Sequence, residues 1–361
     1  MPSHDAFLLV SFGGPEGRDD VIPFLENVTR GRSVPRDRLE QVAEHYYRFG
    51  GVSPINQQCR DLLAAVEKHF AAGGVDLPVY WGNRNWDPYL TDTVAAMAAH
   101  GRQRAIAFVT SAYSSFSGCR QYLDDIERAR ARVGPAAPRI DKLRPYFNHP
   151  GFVEPFADAI GGAAESLPTS VRDRGFDLVF TAHSIPEAMS AASGPAGGAY
   201  PRQLAEASRL VAERVSGARS WRLAYQSRSG PPSAGWLGPD VGDCLAEMAG
   251  SGSSAVILVP VGFTSDHMEI VFDLDVEAAE AARRLGLPLA RAATPGTDPR
   301  FVAMISELVR ERQDGRPPQA LGDLGPAVGT CRDGCCGAGA ARPAVGPRAS
   351  AGDTAPAGDT P

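Results

Sequence analysis

The 361-residue chain has no apolar run that approaches the roughly 20 residues a membrane-spanning helix requires. Its first residues, MPSHDAFLLVSFGG, have neither a charged n-region nor a long apolar h-region, so we expect no signal peptide. The chain also has no basic run, and its formal net charge of −6 argues against a surface for nucleic acid. The sequence therefore predicts a protein with no transmembrane segment and no nucleic-acid partner.

The sequence also has few cysteines and no clear nucleotide-binding loop. Six cysteines in so long a chain do not form a disulfide framework, which indicates a reducing compartment, and we expect the protein in the cytoplasm. The turn at Gly13, Gly14 and Pro15 has neither the GxGxxG spacing of a dinucleotide site nor a Walker lysine. The sequence therefore gives little support for a nucleotide ligand.

Strand-like and helix-like segments, by contrast, alternate twice along the chain. Apolar runs lie at 6–10, 79–81, 105–109 and 140–144, and again at 178–180, 223–225, 256–259 and 289–291. Helical stretches separate them, at 35–47, 53–71, 90–100, 120–132, 201–215 and 241–248. Strands that alternate with helices indicate parallel sheets. We therefore predict an α/β fold with two similar, doubly wound, Rossmann-like lobes and a cleft between them.

The same pattern divides the chain into three parts. We predict an N-terminal α/β lobe over 1–165, a C-terminal α/β lobe over 166–325, and a tail over 326–361 that is rich in Gly, Ala and Pro. Beyond Ala341 the tail has no periodicity, and we expect it to be disordered.

One histidine stands out in the second lobe. The segment DLVFTAHSIP runs from Asp177 to Pro186, and its apolar run ends just before His183. A side chain at the carboxyl end of a buried parallel strand faces the crevice in which open α/β sheets bind ligands. A lone histidine of this kind is more often a core residue bonded to backbone groups, so the assignment depends on its neighbours.

Those neighbours are acids in PVGFTSDHMEIVFDLDVEAAE, which follows the apolar run 255–259. Glu269, Asp273 and Glu277 recur every fourth residue, which stacks three carboxylates along one face of a predicted helix. A solvated acidic face is the usual origin of such a row. Apolar residues flank these acids, however, which indicates that at least Glu269 lies against apolar walls. A histidine facing a row of acids suits proton transfer or a divalent cation.

Arginines and aromatic residues cluster in the first lobe. Arg30 and Arg32 share one turn, and HYYRFGGVSP follows at 45–54. A guanidinium group pairs a carboxylate through a planar fork, and aromatic rings supply stacking area. Each residue taken singly is more commonly part of ordinary packing. Together with Trp236 as a further wall, they favour a flat aromatic ligand that carries carboxylates.

Six motifs, in their order along the chain, resemble the ferrochelatase family. They are SFGGPEG, VTRGR, FGGVSPIN, FTAHSIP, YQSRSGP with WLGPD, and PVGFTSDHMEIVFDLDVE, and they cover nearly the whole chain. The segments LENVTRGR, HYYRFGGVSPIN and GNRNW are most similar to the actinobacterial branch of the family. That branch resembles the enzymes that act on coproporphyrin III, a porphyrin with four carboxylates. The resemblance implies an enzyme of haem biosynthesis that inserts ferrous iron into a porphyrin.

The resemblance also implies roles for individual residues. His183 and Glu269 would be the pair next to Fe²⁺, and Asp273 and Glu277 a polar path leading away from it. The positions that hold the porphyrin and its propionates are matched by Arg30, Tyr46, Ser53 and Tyr122. Phe12, also expected against the substrate, stands where many bacterial relatives have a tyrosine near the metal, so no axial phenol oxygen is available here.

Three cysteines at the start of the tail, Cys331, Cys335 and Cys336, lie within six residues. In a cytosolic protein this spacing favours a metal or cluster site over a disulfide. The tail resembles that of ferrochelatases with a 2Fe–2S cluster, whose fourth ligand is an interior cysteine. The matching interior segment, 151–160, contains no cysteine, which leaves Cys59, Cys119 and Cys244. We expect a 2Fe–2S cluster with Cys119 as the candidate fourth ligand, with a zinc site or free thiols as alternatives.

Other classes of protein share parts of this pattern. A protein that only binds a tetrapyrrole or a metal would explain the cleft and its aromatic residues, but it would not need His183 and the acid row. A protoporphyrin IX ferrochelatase and a chelatase for cobalt or nickel are the closer alternatives. We expect a monomer whose partners are porphyrin and ferrous iron, with a possible hand-off to the next haem-pathway enzyme.

Overall fold

The computed structural model describes residues 4–31, 34–229, 235–331 and 334–337. Two four-stranded sheets form its framework, and every pairing between neighbouring strands is parallel. The first sheet has the order β2-β1-β3-β4 and contains β1 (Ala6–Ser11), β2 (Val79–Asn83), β3 (Arg104–Val109) and β4 (Arg139–Lys142). The second has the order β6-β5-β7-β8 and contains β5 (Phe176–His183), β6 (Ala218–Gln226), β7 (Val256–Val259) and β8 (Leu289–Arg291). The prediction of two similar parallel sheets is confirmed.

Helices connect consecutive strands and cover both faces of each sheet. In the first half they are α1 (Val21–Val28), α2 (Arg36–Tyr47), α3 (Ile55–Gly73), α4 (Leu90–Ala99), α5 (Gln121–Val133) and α6 (Pro150–Glu165). In the second half they are α7 (Thr169–Arg172), α8 (Glu187–Ala191), α9 (Ala199–Ala212), α10 (Val241–Gly250), α11 (Met268–Phe272), α12 (Ala279–Arg284) and α13 (Pro299–Asp314). A 3-10 turn lies at Arg18–Asp20, and π-helical segments lie at Phe116–Arg120 and Asp273–Ala278.

The central strands are mostly apolar because both of their faces are covered. Every residue of β1, β3 and β7 is buried, as is usual for parallel sheets with helices on both sides. On the outer face of the first sheet, Leu8 packs with Val94 of α4 and Ile126 of α5. Burying a side chain such as Leu8 contributes roughly 1.5–3 kcal/mol relative to exposure.

The inner faces of the two sheets share one core. Phe108 of β3 stacks on Tyr146 at 4.8 Å between ring centroids and meets Phe301 of α13 edge to face at 6.1 Å. Phe152 of α6 lies against Tyr146 at 5.6 Å. Helix α13 follows the last strand of the second sheet and returns to pack on α3 and α6. The two halves are therefore held together by a continuous aromatic core.

Local signals in the sequence explain where α13 begins and ends. The carboxylate of Asp298 accepts a hydrogen bond from the backbone N–H of Arg300, and Pro299 occupies the first turn, where its missing N–H costs nothing. The helix ends at Gly315, which has a φ of 68° in the left-handed region. Glycine reaches that conformation without a Cβ clash.

The acid row after β7 differs from the predicted single α-helix. An α-helix starts at Met268 with His267 as its N-cap, and it becomes π-helical from Asp273 to Ala278 before α12 continues. A π-helical turn is wider than an α-helical turn and often occurs at functional sites. The change of winding places Glu269 and Asp273 in the α-helix and at the start of the wider turn, respectively.

Several sequence predictions fall outside the described residues, namely those on Arg32 and on the tail beyond Gly337. Within the part of the chain that the structure describes, no helix is long and apolar enough to cross a membrane.

Candidate active site

His183 is the last residue of β5, in the interior of the second sheet. Its Nδ1 lies 2.5 Å from the carbonyl oxygen of Ser184. That oxygen can only accept a hydrogen bond, so Nδ1 must carry the proton. In the neutral ring the lone pair then belongs to Nε2, which faces the carboxylate of Glu269 at 3.6 Å. The structure thus brings together the two residues predicted to flank the metal.

Each member of this pair changes the pKa of the other. Burial by itself lowers the pKa of His183, but the nearby Glu269 carboxylate and the Ser184 carbonyl outweigh burial and raise it. Burial would raise the pKa of Glu269, but the positive charges of His183 and His267 hold it at about 2. Glu269 is therefore ionised across the physiological range, beside a histidine that can hold a proton.

Asp273 behaves differently from Glu269. Burial raises the pKa of its carboxyl to about 7, the Ser227 hydroxyl opposes the shift, and the charges of Glu269 and Glu277 add to it. A carboxyl with a pKa near neutrality can both accept and release a proton at pH 7. Much of the Glu277 side chain is exposed, and the partial burial of its carboxyl, together with the charges of Asp240 and Glu280, raises its pKa. The acid row therefore leads from Glu269, which stays ionised, through Asp273, which titrates near neutrality, to Glu277 at the solvent.

Two polar residues that sequence reasoning did not single out hold this row from β6. Gln226, the last residue of β6, donates from Nε2 to the backbone carbonyl of Glu269 at 2.9 Å and towards Oδ2 of Asp273 at 3.4 Å. Ser227 donates its hydroxyl to Asp273 Oδ2 and has a φ of 59°, uncommon for a residue other than glycine. Both residues lie in the YQSRSGP motif at a strand end, a position that signals a site residue.

His267 was also missed. Its Nδ1 accepts a hydrogen bond from the backbone N–H of Glu269 at 3.2 Å, so its ring is the N-cap of α11. Burial lowers the pKa of His267, and its Nδ1 lies 3.9 Å from the Glu269 carboxylate. The DHME spacing places a histidine two residues before Glu269, and this was the available signal.

Aromatic residues and one arginine line the corresponding edge of the first sheet. Phe12 follows β1, and 36% of its surface is exposed. The guanidinium carbon of Arg84 lies 5.7 Å from the centre of the Phe12 ring and 4.5 Å from that of the Tyr122 ring. Arg84 is also paired with Asp125. The predicted residues Phe12 and Tyr122 therefore contact the same arginine.

Helix α2 of the first lobe packs against α11 of the second lobe at the site. Burial, together with the carboxylates of Glu269 and Asp273, raises the pKa of the Tyr46 hydroxyl. The neighbouring His45 stacks on Phe272 of α11, with ring centroids 3.7 Å apart and an interplanar angle of 8°. The cleft predicted between the lobes therefore contains His183, Glu269 and Asp273 on one side and Tyr46 on the other.

Ser53 and Arg30 lie at different depths. Ser53 is buried, and its N–H donates to the carbonyl of Pro15 at 2.9 Å. A Cβ on Gly14 would come within 2.7 Å of the Ser53 Cβ, so glycine at position 14 lets the two turns pack together. Arg30 is exposed at the end of α1, where its guanidinium donates to Asn27.

Trp236 joins the segment after β5 to the segment after β6. It forms an antiparallel bridge with Pro186, and its indole Nε1 is buried without a hydrogen-bond partner among the described residues. The residues just before it, 230–234, lie outside the described residues, so the predicted wall role of Trp236 stays a prediction.

The tail cysteines lie against Cys119. The Sγ atoms of Cys119 and Cys331 are 3.7 Å apart, and those of Cys335 and Cys336 are 3.9 Å apart. The backbone N–H of Gly194 donates to Cys336 Sγ at 3.1 Å. Hydrogen bonds from Cys331 and Cys336, with Lys142 nearby, lower the pKa of the Cys119 thiol. Of the interior candidates, the structure brings Cys119 to the tail, whereas Cys59 and Cys244 are buried in α3 and α10.

The arrangement of these sulfurs bears on what they can hold. Among the described residues, no group of three or more His, Cys, Asp or Glu side chains is arranged to hold a metal ion. Two thiolates on one tetrahedral iron or zinc, at about 2.3 Å each, lie about 3.8 Å apart. The two measured pairs match that spacing, and a cavity of about 180 Å³ adjoins all four cysteines. The spacing agrees with two terminal thiolates on each of two metal ions, but the described side chains do not form a metal site as they stand.

Chemically, the cleft combines a base, a permanent anion and a titrating carboxyl. Glu269 can attract a cation, while His183 and Asp273 can take up protons that the cation displaces. Aromatic faces and guanidinium groups on the opposite lobe suit a flat anionic ring. Such a cleft is suited to exchanging protons for a metal ion in a planar ligand.

The fold itself has a counterpart among solved structures. The chain is similar to SirB from Bacillus subtilis with Fe3+, with a TM-score of 0.52 and 13% sequence identity over 87% of this chain and 98% of that one. At this identity the likeness concerns the fold alone. The fold and the residues gathered at the strand ends place the chain among α/β proteins in which two parallel-sheet lobes present histidine and acidic side chains to one cleft.

Sequence comparison makes the assignment specific. Residues 4–313 match the sequence model described as Ferrochelatase. The chain is 56% identical to the coproporphyrin III ferrochelatase of Nocardia farcinica, over 92% of this chain and 96% of the relative. It is 53% identical to that of Streptomyces coelicolor (95% and 96%) and 54% identical to that of Mycolicibacterium smegmatis (92% and 97%). The chain belongs to the ferrochelatase family, as its motifs predicted.

Proposed function

We propose that this protein is a coproporphyrin III ferrochelatase, a lyase that inserts Fe²⁺ into coproporphyrin III and releases two protons. The observation that carries the proposal is the pair formed by His183 Nε2 and the Glu269 carboxylate, 3.6 Å apart at the carboxyl edge of the second sheet. Relatives that are named for this activity are more than half identical to the chain.

The proposed roles follow from the charges of the cleft. Two pyrrole N–H bonds must break as the four ring nitrogens bind the iron, so a base for the two protons and an anionic site for the cation are both required. His183 accepts a proton at Nε2, and Glu269 compensates the charge of the incoming dication. Asp273, which titrates near neutrality, receives protons from the site, and Glu277 passes them to solvent. Phe12 offers a ring face to the porphyrin and no oxygen to the metal.

The preference for coproporphyrin III is assigned to the rim of the first lobe. We assign propionate contacts to Arg30, Tyr46 and Ser53, and stacking contacts to Tyr122 and Trp236. Coproporphyrin has four propionates, whereas protoporphyrin IX replaces two of them with vinyl groups. A donor that loses its carboxylate is left unpaired, at a cost of about 1–3 kcal/mol if it is buried. The rim therefore favours the more anionic ring.

The function is tested by anaerobic incubation of the purified protein with Fe²⁺ and coproporphyrin III, followed by visible spectroscopy. We expect the free-porphyrin bands to be replaced by those of the iron porphyrin with multiple turnovers. A higher specificity constant with protoporphyrin IX would favour the protoporphyrin enzyme, and metallation by Co²⁺ or Ni²⁺ alone would favour another chelatase. Binding without turnover would identify a tetrapyrrole-binding protein.

We propose further that Cys119, Cys331, Cys335 and Cys336 ligate a 2Fe–2S cluster. The sulfur spacings support this assignment. A thiolate is the form that binds iron; the neighbouring thiols lower the pKa of Cys119, whereas the pKa values of Cys331 and Cys336 are raised, so iron binding would have to displace their protons. When bound, the cluster would supply a covalent cross-link between the tail and the segment before α5. The backbone N–H of Gly194 also donates a hydrogen bond to Cys336 Sγ, so the segment before α9 lies against the same cysteines.

Purification from iron-replete cells tests the cluster assignment. We expect a reddish protein whose visible absorbance bleaches on reduction, and we expect Cys119→Ser to abolish that colour. Cys244→Ser is the matched control, because Cys244 is equally buried but lies in α10, and it should keep the colour. A colourless wild type with stoichiometric zinc would show a zinc site instead, and a colourless wild type without metal would show free thiols.

The remaining assignments concern the whole molecule. We propose lobe boundaries near residues 165 and 325, with the tail at 326–361 carrying the cluster ligands. We also propose that the protein acts in the cytoplasm as a monomer and hands its product to the next enzyme of haem synthesis. The hand-off follows from the product, an iron porphyrin that still carries four propionates.

A further inference from the structure

Among the described strands, only β6 extends far enough to pair with His183, and the backbone carbonyl of His183 points away from β6. The N–H of Ser184 donates to Gln226 of β6 at 2.8 Å. In a trans peptide the N–H and the preceding C=O point in opposite directions, so the His183 carbonyl faces the β7 side. Strand β7 ends at Val259, which pairs with Phe180, three residues before His183. The carbonyl therefore needs a partner from outside the sheet.

Tyr200 supplies that partner. Its hydroxyl donates to the His183 carbonyl oxygen at 2.9 Å. The tyrosine is buried in the first turn of α9, where its own N–H donates to the hydroxyl of Ser193 at 2.9 Å. Its ring packs edge to face on Tyr113, with centroids 6.2 Å apart. Tyr200 is thus fixed at its backbone and along its ring, and its hydroxyl reaches only one described acceptor.

The peptide that Tyr200 holds also determines how the imidazole is oriented. His183 Nδ1 is bonded to the next carbonyl, that of Ser184, and this bond directs Nε2 towards Glu269. Rotation of the His183–Ser184 peptide is resisted on one side by Gln226 and on the other by Tyr200. Without the Tyr200 hydroxyl, this carbonyl would lose its described partner, and only the bond from Ser184 N–H to Gln226 would resist rotation of the peptide.

We propose that Tyr200 is a positioning residue for metal insertion: its hydroxyl fixes the peptide after His183 and so holds Nε2 at the point where protons leave the porphyrin. The inference rests on the proposed function of His183. Tyr200 itself does not face the cleft, and it acts through the histidine. Small misplacements of reacting groups can reduce rates by up to about a hundredfold.

The first sheet contains a matched control for this arrangement. The N–H of Thr110 donates to Val10 of β1, so the carbonyl of Val109 points towards the β4 side, beyond the last residue of β4. The hydroxyl of Tyr146, which is also a buried residue, donates to that carbonyl at 3.0 Å. Tyr146 and Tyr200 therefore make the same contact at two strand ends, but only one of those strands ends in a site residue.

The experiment compares Tyr200→Phe with Tyr146→Phe in the full-length protein. Both changes keep the ring and remove one hydroxyl, so both variants should fold with similar, small decreases in Tm. We expect Tyr200→Phe to lower kcat for iron insertion about tenfold while KM for coproporphyrin and its dissociation constant, read from porphyrin fluorescence, stay unchanged. We expect Tyr146→Phe to keep the wild-type kcat.

Each other outcome has a defined meaning. A wild type that turns over while Tyr200→Phe has the same kcat would overturn the positioning role and leave the proposed function intact. Equal losses of kcat in both variants would also overturn it, because they would reflect general loosening of the aromatic core. A wild type without any turnover would refute the proposed function, and with it the basis of this inference.

Discussion

The first strand of each sheet delivers a different side chain to the cleft. In the first sheet β1 ends at Ser11 and leads into Phe12, whereas in the second sheet β5 ends at His183. Strands β2 and β6, which pair with β1 and β5, differ in the same way. The residue after β2 is Arg84, which lies between two aromatic rings, and the residue after β6 is Ser227, which bonds Asp273. One edge is aromatic and cationic, and the other contains the histidine and the acids.

This contrast gives the corresponding edges of two similar sheets different chemical properties. The sheets have corresponding strand orders and present their carboxyl ends to a shared cleft. The aromatic and cationic edge suits the ring and its carboxylates, and the edge with His183 and Glu269 suits protons and metal. Exchanging these roles between lobes would require new strand-end residues rather than a new fold. Variants at each edge should therefore have different kinetic signatures.

The largest effect is expected at the second-lobe edge, from His183→Ala. A positioned general base typically contributes about 10²–10⁴-fold, so we expect kcat to fall by that factor. Porphyrin affinity should change little, because His183 acts at the pyrrole nitrogens in the centre of the ring, whereas the first lobe binds the propionates at its edge. Anaerobic turnover and fluorescence titration measure the two quantities. His100→Ala, at an exposed histidine of the first lobe, is the control, and near wild-type turnover by His183→Ala would refute the proposed base.

A smaller, pH-dependent effect is expected from Asp273→Asn. Because the pKa of Asp273 is about 7, the carboxyl is mostly protonated at pH 6 and mostly ionised at pH 8. We expect wild-type kcat to rise over this range and the variant to lack the rise, so that it is about tenfold slower at pH 8. Asp275→Asn removes a charge from the same π-helical turn and serves as the control. A variant that keeps the wild-type pH profile would contradict proton transfer through Asp273.

The same substitution gives a stability readout with a defined sign. The folded-state pKa of Asp273 lies above the unfolded value, so this carboxyl favours folding less and less as pH rises from about 4 to 7. Removing its charge should therefore raise the Tm of Asp273→Asn, relative to wild type, more at pH 8 than at pH 5. Thermal melts at the two pH values test this independently of activity.

The smallest effect is expected at the first-lobe edge, from Arg30→Ala. Arg30 is exposed, so a contact with a propionate is weakened by solvent, and we expect a loss of several-fold in kcat/KM for coproporphyrin III. Protoporphyrin IX should lose less, which narrows the preference between the two substrates. Arg36→Ala is the control, since Arg36 is also exposed but is paired with Glu26 and Glu40. Equal losses of kcat/KM for both porphyrins would show that Arg30 does not contribute to the preference between the two substrates.

The sequence by itself determined the framework. Fully apolar runs separated by helical periodicity specify buried parallel strands, and every predicted strand is present in the structure. His183 was identifiable because it follows such a run directly, and Glu269 and Asp273 because their spacing and apolar neighbours are local properties. Local signals of this kind depend on neighbours along the chain, so they can be read without knowing the packing.

Only the tertiary structure decided which distant residues meet. The contact of Cys119 with Cys331 spans 212 positions, and that of Tyr200 with His183 joins α9 to β5. The π-helical turn at Asp273 and the pKa of about 7 for its carboxyl depend on burial and on charges from other elements. Gln226 lies in a motif at a strand end, but its hydrogen bonds to the backbone of Glu269 and to Asp273 depend on packing between β6 and the acid row. Long-range packing, and the burial it imposes on polar groups, determined these features of the site.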